Sequence, residues 1–171
     1  MSELLARRVA SAQSRDRLFL VFRIGSERYA LQAVEIAEVL PRLQLKAIAH
    51  APDWVAGVFA HRGSMVPVID VSAMTFGQPA VARTSTRLVL VHYRPEPDAA
   101  SALLGLILEQ ATDTLRCNPN DFQPYGLDNR QAPYLGPVRE DGQGLVQRIR
   151  VNELLRPEVH ALLFPESAEG L

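Results

Sequence analysis

Residues 55–70 read VAGVFAHRGSMVPVID, a pattern of two apolar strands joined by a turn at 61–64. Glycine at position 63 suits a backbone with positive φ, and Gly57 suits a place where another chain segment passes close. Pro67 cannot donate a hydrogen bond to a ladder, so its strand should lie at a sheet edge or carry a bulge. An edge strand beside an arginine at a turn tip favours a docking surface over a catalytic centre.

The arginine at the turn tip, Arg62, is the strongest single candidate for a binding residue. Arginine is enriched among the residues that contribute most to protein interfaces, and its planar guanidinium is a rigid hydrogen-bond donor. The alternative is a solvent-facing turn residue that contributes little to any interaction. Both interpretations stay open on the residue alone.

The composition is typical of a soluble globular protein built from many short strands. The chain has 171 residues, which fits one domain or two small subdomains, and 47% of them are hydrophobic. Twelve prolines and ten glycines punctuate short runs of Val, Leu and Ile. The formal net charge of −1 gives no global field that would draw the chain to nucleic acid or to an anionic membrane.

A cytoplasmic location is expected. Cys117 is the only cysteine, so no disulfide can form within the chain, which favours a reducing compartment. No apolar run approaches the ~20 residues of a membrane span. The N-terminal residues have no apolar core of signal-peptide length.

The chain divides into two strand sets of similar size, which predicts two small barrels packed together. Residues 1–17 are expected to be a flexible extension and 165–171 a tail, with a folded region at 18–164 between them. The polar connection near 77–86 lacks strong periodicity and is predicted to be the joint between two subdomains. Besides the two strands of 55–70, strands are predicted at 18–24, 28–31, 36–40, 87–93, 103–108, 112–116 and 145–150. Short helices are predicted at 71–76, capped by Asp70 and closed by Gly77, and also at 151–155 and 158–164.

Two segments have interpretations that the pattern leaves open. Ile36, Glu38 and Leu40 share one face of their strand, which is either the edge of a binding patch or a solvated side with incidental apolar residues. Residues 123–144 hold Pro, Gly, Asn and Asp throughout and are predicted to form a long irregular loop, with at most one short strand near 134–135. A loop of this length in a compact domain is usually functional or poorly ordered.

The sequence has no residue pattern typical of a catalytic or metal site. The four histidines are scattered, without HxxH or HExxH spacing and without companion cysteines. There is no GxSxG, Walker or GxGxxG motif. Cys117 lies beside Arg116, but no histidine is near it in sequence, so a structural thiol is favoured over a nucleophile. The prediction is a non-enzymatic protein with neither a cofactor nor a metal.

Short runs along almost the whole chain, roughly residues 18–163, carry a family resemblance. The runs are Phe19-Leu20-Val21-Phe22, Tyr29-Ala30-Leu31, 34–39, Gly57-Val58, Arg62-Gly63, Val66-Pro67-Val68, Ile69-Asp70, 87–91, 104–108 and 150–155. Together they resemble the CheW family of chemotaxis coupling proteins. The pair Arg62-Gly63 and the runs at 104–109 and 134–137 look most like the coupling proteins of Wsp-type surface-sensing pathways.

The resemblance implies a mainly β fold of two five-stranded SH3-like β-barrels side by side, with short helices including a C-terminal one. It also implies a non-enzymatic adaptor between two partners. One is the tip of a methyl-accepting chemoreceptor, an antiparallel helical hairpin, and the other is the CheW-like regulatory domain of a CheA-type histidine kinase. Such an adaptor is cytoplasmic and recruited to membrane-associated receptor arrays, and it neither binds nucleic acid nor inserts into the membrane.

By the same resemblance, receptor contact is expected in the groove between the barrels. The face of Ile36 and Glu38 then becomes a helix-binding surface. The matching receptor-binding positions are Ile36, Glu38, Arg62, Arg87 and Thr114. The turn that supports them contains Gly57, His61 and Gly63.

The chain departs from the family pattern around this site. The family often has Asn-Leu before the Arg-Gly pair, where this chain has Ala60-His61. It commonly has a small aliphatic residue near position 87, where this chain has Arg87, and Thr114 is a further departure. Because His61 and Arg87 make the groove more basic than usual, we infer a receptor whose tip sequence differs from the standard chemotaxis set.

Two alternatives come from other classes of protein. An SH3-like module could recognise a peptide or nucleic acid without any kinase, although the near-neutral charge and the lack of clustered aromatic residues argue against it. An enzyme could assemble its site from distant loops, and residues 123–144 are then the place to look.

Overall fold

Strands dominate the part of the chain that the computed structural model describes, which is residues 3, 15–124, 126 and 130–165. The predicted mainly β class is confirmed. The extension expected at 1–17 and the tail expected at 165–171 lie almost wholly outside the described residues. The strands are β1 (Arg17–Ile24), β2 (Glu27–Gln32), β3 (Ile36–Pro41), β4 (Val55–His61), β5 (Ser64–Asp70), β6 (Arg87–Tyr93), β7 (Ala102–Cys117), β8 (Leu135–Asp141) and β9 (Gly144–Ile149). The helices are α1 (Val71–Phe76) and α2 (Pro157–Leu163), and 3₁₀ turns lie at Ala33–Glu35, Pro119–Asp121 and Val151–Glu153.

The strands pair in two groups of five that share β7. The first group has the order β7–β1–β2–β9–β8, and the second has the order β3–β6–β7–β5–β4. The first half of β7, up to Leu108, pairs with β6, and the second half, from Glu109, pairs with β1. The prediction of separate strands at 103–108 and 112–116 is therefore wrong. They are halves of one 16-residue strand, with Gln110 in a left-handed conformation (φ 48°) between them.

The connection at 77–86, expected to be the joint between two subdomains, joins α1 to β6 inside the second group. It is held in place by one side chain from β7 and one from its own last residue. The Glu109 carboxylate accepts a hydrogen bond from the backbone N–H of Val81 at 2.6 Å, and Thr86 donates to the Val81 carbonyl at 2.6 Å. The first group combines β1 and β2, near the start of the described chain, with β8 and β9, near its end. The parallel pairing of β2 with β9 joins these two parts.

Helix α1 begins and ends as its sequence predicts. The Asp70 carboxylate accepts a hydrogen bond from the Ala73 N–H at 3.1 Å, which confirms Asp70 as the N-cap. Gly77 closes the helix in the left-handed conformation with φ 75°. The second carboxylate oxygen of Asp70 accepts from the Ala80 N–H at 2.9 Å, so one side chain both starts α1 and fixes the connection that follows it.

The long loop predicted at 123–144 contains regular structure that the sequence pattern hides. Strand β8 occupies residues 135–141 and forms an antiparallel hairpin with β9. Gln123 adds a bridge to the hairpin, with N···O distances of 2.7 and 2.9 Å to Val138. The loop prediction was wrong here because Gly136 and Pro137 interrupt β8 and three charged residues end it, so no alternating apolar pattern shows.

The largest core cluster joins the two strand groups. It contains Phe22 and Tyr29 from the first group together with Val89 and Leu104 from the second, each at most 2% exposed. A hydrogen bond of 2.8 Å between the Thr75 and Tyr134 hydroxyls adds a polar link between α1 and the residue before β8. The two groups therefore share one hydrophobic core and stabilise each other.

A bidentate ion pair fastens the β8–β9 turn to β2. The guanidinium of Arg28, only 9% exposed, donates to both carboxylate oxygens of Asp141 at 2.8 and 2.9 Å. Asp141 also accepts from the Gln143 N–H at 2.8 Å. The hydrogen bonds from Arg28 hold the pKa of Asp141 below its usual range. The hairpin is thus positioned by electrostatics as well as by its ladder.

Replacing Asp141 with Asn should lower the free energy of unfolding at pH 7 by about 3 kcal/mol, because it leaves the Arg28 charge largely buried without its partner. Since the folded-state pKa of Asp141 is lowered, its contribution is present above the unfolded pKa of about 3.9 and is lost as pH falls through the folded value. Urea unfolding between pH 7 and pH 2.5 measures both effects. Asp98→Asn, at an exposed loop position, is the matched control and should change stability by less than about 0.5 kcal/mol. Equal stability of the two variants would contradict the prediction.

Candidate functional site

The turn between β4 and β5 presents Arg62 to solvent. His61 pairs with Ser64, so the turn has two central residues, and both have positive φ, 50° for Arg62 and 83° for Gly63. Positive φ at both positions is the requirement of the type I′ hairpin turn. The positive φ predicted for Gly63 is confirmed. Arg62 is 78% exposed, so the strained backbone of a non-glycine residue carries a guanidinium outward from the tip.

Gly57 lies where a neighbouring segment crosses β4. Val58 and Lys46 exchange backbone hydrogen bonds of 2.8 and 2.9 Å, so the chain before β4 folds back along it. A Cβ at position 57 would stand 2.5 Å from the Lys46 carbonyl oxygen, and the backbone φ of 146° is itself unfavourable for other residues. The close approach predicted for Gly57 is therefore confirmed.

Pro67 lies in β5 at a position where the ladder to β4 needs no N–H donor. Its antiparallel neighbour, Val58, directs its backbone groups to Lys46 instead, and the parallel ladder between β5 and β7 begins only at Val68. Because β5 lies between β4 and β7, the prediction of an edge strand is wrong. The irregularity in this ladder is a register shift between Val55 and Gly57 on β4.

Three residues from the predicted site meet at the turn. Oε2 of Glu38 lies 3.1 Å from Nε2 of His61 and 3.4 Å from a terminal guanidinium nitrogen of Arg62. We call Glu38, His61 and Arg62 the turn-tip cluster. Glu38 is on β3 and His61 ends β4, which are the two end strands of the second group. The cluster therefore joins the two edges of that group by side-chain contact.

His61 is the most enclosed member of the turn-tip cluster. Its side chain is 14% exposed, against 31% for Glu38. The imidazole packs edge-on against the ring of Phe59, with centroids 5.8 Å apart and an interplanar angle of 61°. Two residues apart on one strand, the two rings lie on the same face. The sequence analysis gave Phe59 no role, although the two-residue spacing of Phe59 and His61 in a predicted strand already placed them on one face.

The face of β3 that was expected to bind a helix is the more buried of its two faces. Ile36, Glu38 and Leu40 are half-buried, and Ile36 and Leu40 pack against core clusters. The opposite face is exposed and includes Val39 at 46% exposure. This face of β3 is therefore neither simply the edge of a binding patch nor a solvated side with incidental apolar residues. Its apolar residues pack against the core, and Glu38 is the residue of this face that contacts the exposed Arg62.

The other two predicted receptor positions lie apart from the turn-tip cluster. Arg87 begins β6 opposite Pro41, and its guanidinium donates to the carbonyl oxygens of Thr84 and Thr86. Thr114 is exposed on the second half of β7, where it pairs with Leu20 in the first strand group. The structure thus brings together Glu38, His61 and Arg62, with Ile36 two residues away on the same strand.

Two features of the described residues argue against a catalytic site. They contain no group of three or more His, Cys, Asp and Glu residues that could hold a metal ion. Burial raises the pKa of the Cys117 thiol, which disfavours the nucleophilic thiolate. A search of the described residues also finds no helix with the length and apolar character needed to cross a membrane.

The fold and the turn-tip cluster define a β scaffold with a polar contact point on its surface. The CheW-like domain model matches residues 18–159, and the chain therefore belongs to the CheW-like family. This confirms the resemblance to the CheW family. Members of the family are non-enzymatic scaffold proteins, so the chain is a chemotaxis-type adaptor and not an enzyme.

Several relatives and one solved structure support this assignment. Chemotaxis protein CheW of Helicobacter pylori is 26% identical over 144 residues, which is 82% of each chain. Chemotaxis protein CheW of Klebsiella aerogenes is 25% identical over 85% of each chain, and protein FrzA of Myxococcus xanthus is 26% identical over 87% of this chain and 92% of its own. The crystal structure of scaffolding protein TtCheW from Thermoanaerobacter tengcongensis has a TM-score of 0.68 at 18% identity, covering 79% of this chain and 84% of that one. That structure supports the mainly β, SH3-like fold, in which the two strand groups of this chain share β7 instead of forming separate closed barrels.

Gly57→Ala should lower the free energy of unfolding by about 2 kcal/mol or more, because the added methyl group meets the Lys46 carbonyl and the backbone φ is unfavourable. Chemical denaturation measures the effect. Gly142→Ala is the matched control, since a Cβ there meets nothing within 4 Å and its φ lies outside the left-handed range. The control should stay within about 0.5 kcal/mol of wild type. If the two variants are equally stable, the close approach at Gly57 does not affect the free energy of unfolding and the prediction is wrong.

Proposed function

We propose that this protein couples a methyl-accepting chemoreceptor to a CheA-type histidine kinase in a chemosensory array. The observation that carries the proposal is the turn-tip cluster: in a chain of the CheW-like family, Glu38 and Arg62 meet at an exposed hairpin tip. The receptor partner is the antiparallel helical hairpin at the cytoplasmic end of the receptor. The kinase partner is the CheW-like regulatory domain.

The surface around the tip suits a helix that presents an apolar stripe flanked by charge. Arg62 and Glu38 supply one cation and one anion, and Met65, which follows the turn on β5, is an exposed apolar residue. An amphipathic helix binds such a surface through its apolar positions, while the charged groups fix its orientation and register. Arg87 and Thr114 then belong to the outer part of the contact, on β6 and β7.

The location follows from the role. The adaptor is cytoplasmic and reaches the membrane only by binding receptors in their arrays. The formal net charge of −1 supports neither nucleic-acid binding nor general attraction to anionic lipid. We also propose a surface-sensing pathway, which the likeness of Arg62-Gly63 and of residues 104–109 and 134–137 to Wsp-type coupling proteins supports.

The receptor differs in its tip from the standard chemotaxis set. His61 stands where the family often has Leu, and it contacts Glu38 at 3.1 Å, so the polar surface at the tip is changed. We expect the protein to couple a standard flagellar receptor less well than that system's own adaptor does. Equal coupling in a reconstituted kinase assay would contradict this part of the proposal.

Arg62→Ala should weaken binding to the receptor hairpin by about thirtyfold, the size expected for an interface arginine worth about 2 kcal/mol. Folding should be unchanged, because the side chain is 78% exposed. Co-purification with the tagged protein from its host identifies the receptor and the kinase, and calorimetric titration of the purified hairpin then gives the affinity.

Arg94→Ala is the matched control, since Arg94 is an exposed arginine just after β6, and it should bind as wild type does. Equal affinity of Arg62→Ala and wild type counts against the receptor site. A gel shift with nucleic acid, or a peptide-array signal without any binding to a kinase regulatory domain, would favour the SH3-like module instead.

A further inference from the structure

A cleft opens where α1, the segment before β8 and the C-terminal segment of the described chain meet. Its volume is about 360 Å³. Trp54, just before β4, and Met74, in α1, line it on one side, and Tyr134, just before β8, lines it on another. Leu154 and Val159 close it from the C-terminal segment. Ligand sites in proteins have volumes of this order and often lie where separate structural units meet.

Hydrogen bonds fix the walls of this cleft. The Trp54 carbonyl accepts a hydrogen bond from the Asp70 N–H at 2.8 Å, and the Tyr134 carbonyl accepts one from the Arg150 N–H at 2.8 Å. The hydroxyl groups of Tyr134 and Thr75 are also hydrogen-bonded to each other at 2.8 Å. The cleft is therefore formed before any ligand arrives, and binding needs little rearrangement of the chain.

The inner wall of the cleft is apolar and includes an indole ring. Trp54 and Met74 are half-buried against the largest core cluster, so each keeps part of its surface for the cleft. The face of an indole attracts cations more strongly than the face of any other aromatic side chain does. The wall therefore suits both an apolar group and a neighbouring positive charge.

The rim of the cleft carries more negative than positive charge. Glu153 and Glu158 lie on it, and both are exposed. Neither of them has an ion-pair partner among the described residues. Arg156, also on the rim, donates a hydrogen bond to the Gln131 carbonyl at 3.0 Å. The rim thus holds two carboxylates against one guanidinium that is already hydrogen-bonded.

We propose that this cleft binds a small organic cation with an apolar body, of the aryl- or alkylammonium class. The apolar body packs against Met74 and the inner wall, and the charged head is attracted by the Trp54 ring and by the rim carboxylates. A neutral molecule of the same shape gains only the apolar contacts, and an anion is repelled by the excess of carboxylates. The cleft shares no residue with the receptor positions proposed above, so the two proposals stand or fall separately.

The chain contains its own reporters for the cleft. Trp54 is the only tryptophan, and Met74 is one of three methionines, so tryptophan fluorescence and methionine methyl NMR detect a bound molecule directly. The probes are phenethylammonium, phenethyl alcohol and phenylacetate, which share a ring and differ in the charge of the head group. We expect phenethylammonium to change the Trp54 emission saturably and to shift the methyl signal of Met74 but not that of Met65 on β5. It should bind at least about tenfold more tightly than the alcohol, and phenylacetate should bind most weakly.

Three results would overturn this assignment. Equal affinity for phenethylammonium and the alcohol means an apolar site with no preference for a cation. Tighter binding of phenylacetate means that Arg156 sets the preference of the cleft. No shift of the Met74 signal with any of the three probes means that the cleft is not a binding site for molecules of this class.

The role of the rim carboxylates is tested by removing their charge and keeping their shape. Glu153→Gln combined with Glu158→Gln should weaken phenethylammonium binding about tenfold and leave binding of the alcohol unchanged. Glu96→Gln combined with Glu140→Gln is the matched control, because it removes the same charge at exposed positions that do not line the cleft. The control should bind both probes as wild type does. Equal weakening in the two double variants, or no weakening in the first, would contradict recognition of the cation by Glu153 and Glu158.

Discussion

The structure depends on one strand that serves two sheets. Strand β7 pairs with β6 and β5 along its first half and with β1 along its second half. Gln110, with φ 48°, lies where the strand passes from one group to the other. On either side of it, Glu109 binds the backbone of Val81 and the Ala111 N–H donates to the Ser85 carbonyl at 3.2 Å. The passage between the groups is therefore fixed by the connection at 77–86.

This shared strand explains which predictions from the sequence succeeded. Features set within a few residues were predicted correctly, because a capping carboxylate such as Asp70 or a left-handed glycine such as Gly77 acts on its immediate neighbours. The turn at 61–64 is also set by its own residues, whereas the glycine at position 57 predicted a close approach without identifying Lys46 as the neighbour. Strand pairing was not predictable, because it depends on where β7 lies relative to strands up to about a hundred residues away in sequence. For that reason the sequence could not show that the first group takes strands from both ends of the chain.

The candidate site follows the same division between local and distant constraints. The outward arginine could be predicted from the hairpin pattern alone. Its contact with Glu38 joins residues 24 positions apart and requires the end strands β3 and β4 to come together. The apolar residues of β3 illustrate the limit: alternation placed Ile36, Glu38 and Leu40 on one face, but it could not show that this face turns toward the core. Arg87 and Thr114 were predicted only from the family resemblance. They lie on β6 and β7, apart from the turn-tip cluster.

The turn itself points to the importance of the side chain at position 62. A type I′ turn requires positive φ at both central residues, and asparagine, aspartate or glycine adopts it at lower energetic cost than arginine does. Arginine at position 62 therefore costs stability that a small residue would save. It gains little from the exposed contact with Glu38, since ion pairs of this kind contribute at most about 1 kcal/mol. An interaction of the guanidinium with a partner, as proposed above, would give this cost a function. A strained, exposed residue whose side chain contributes little to the stability of its own fold agrees with the binding site proposed at the hairpin tip.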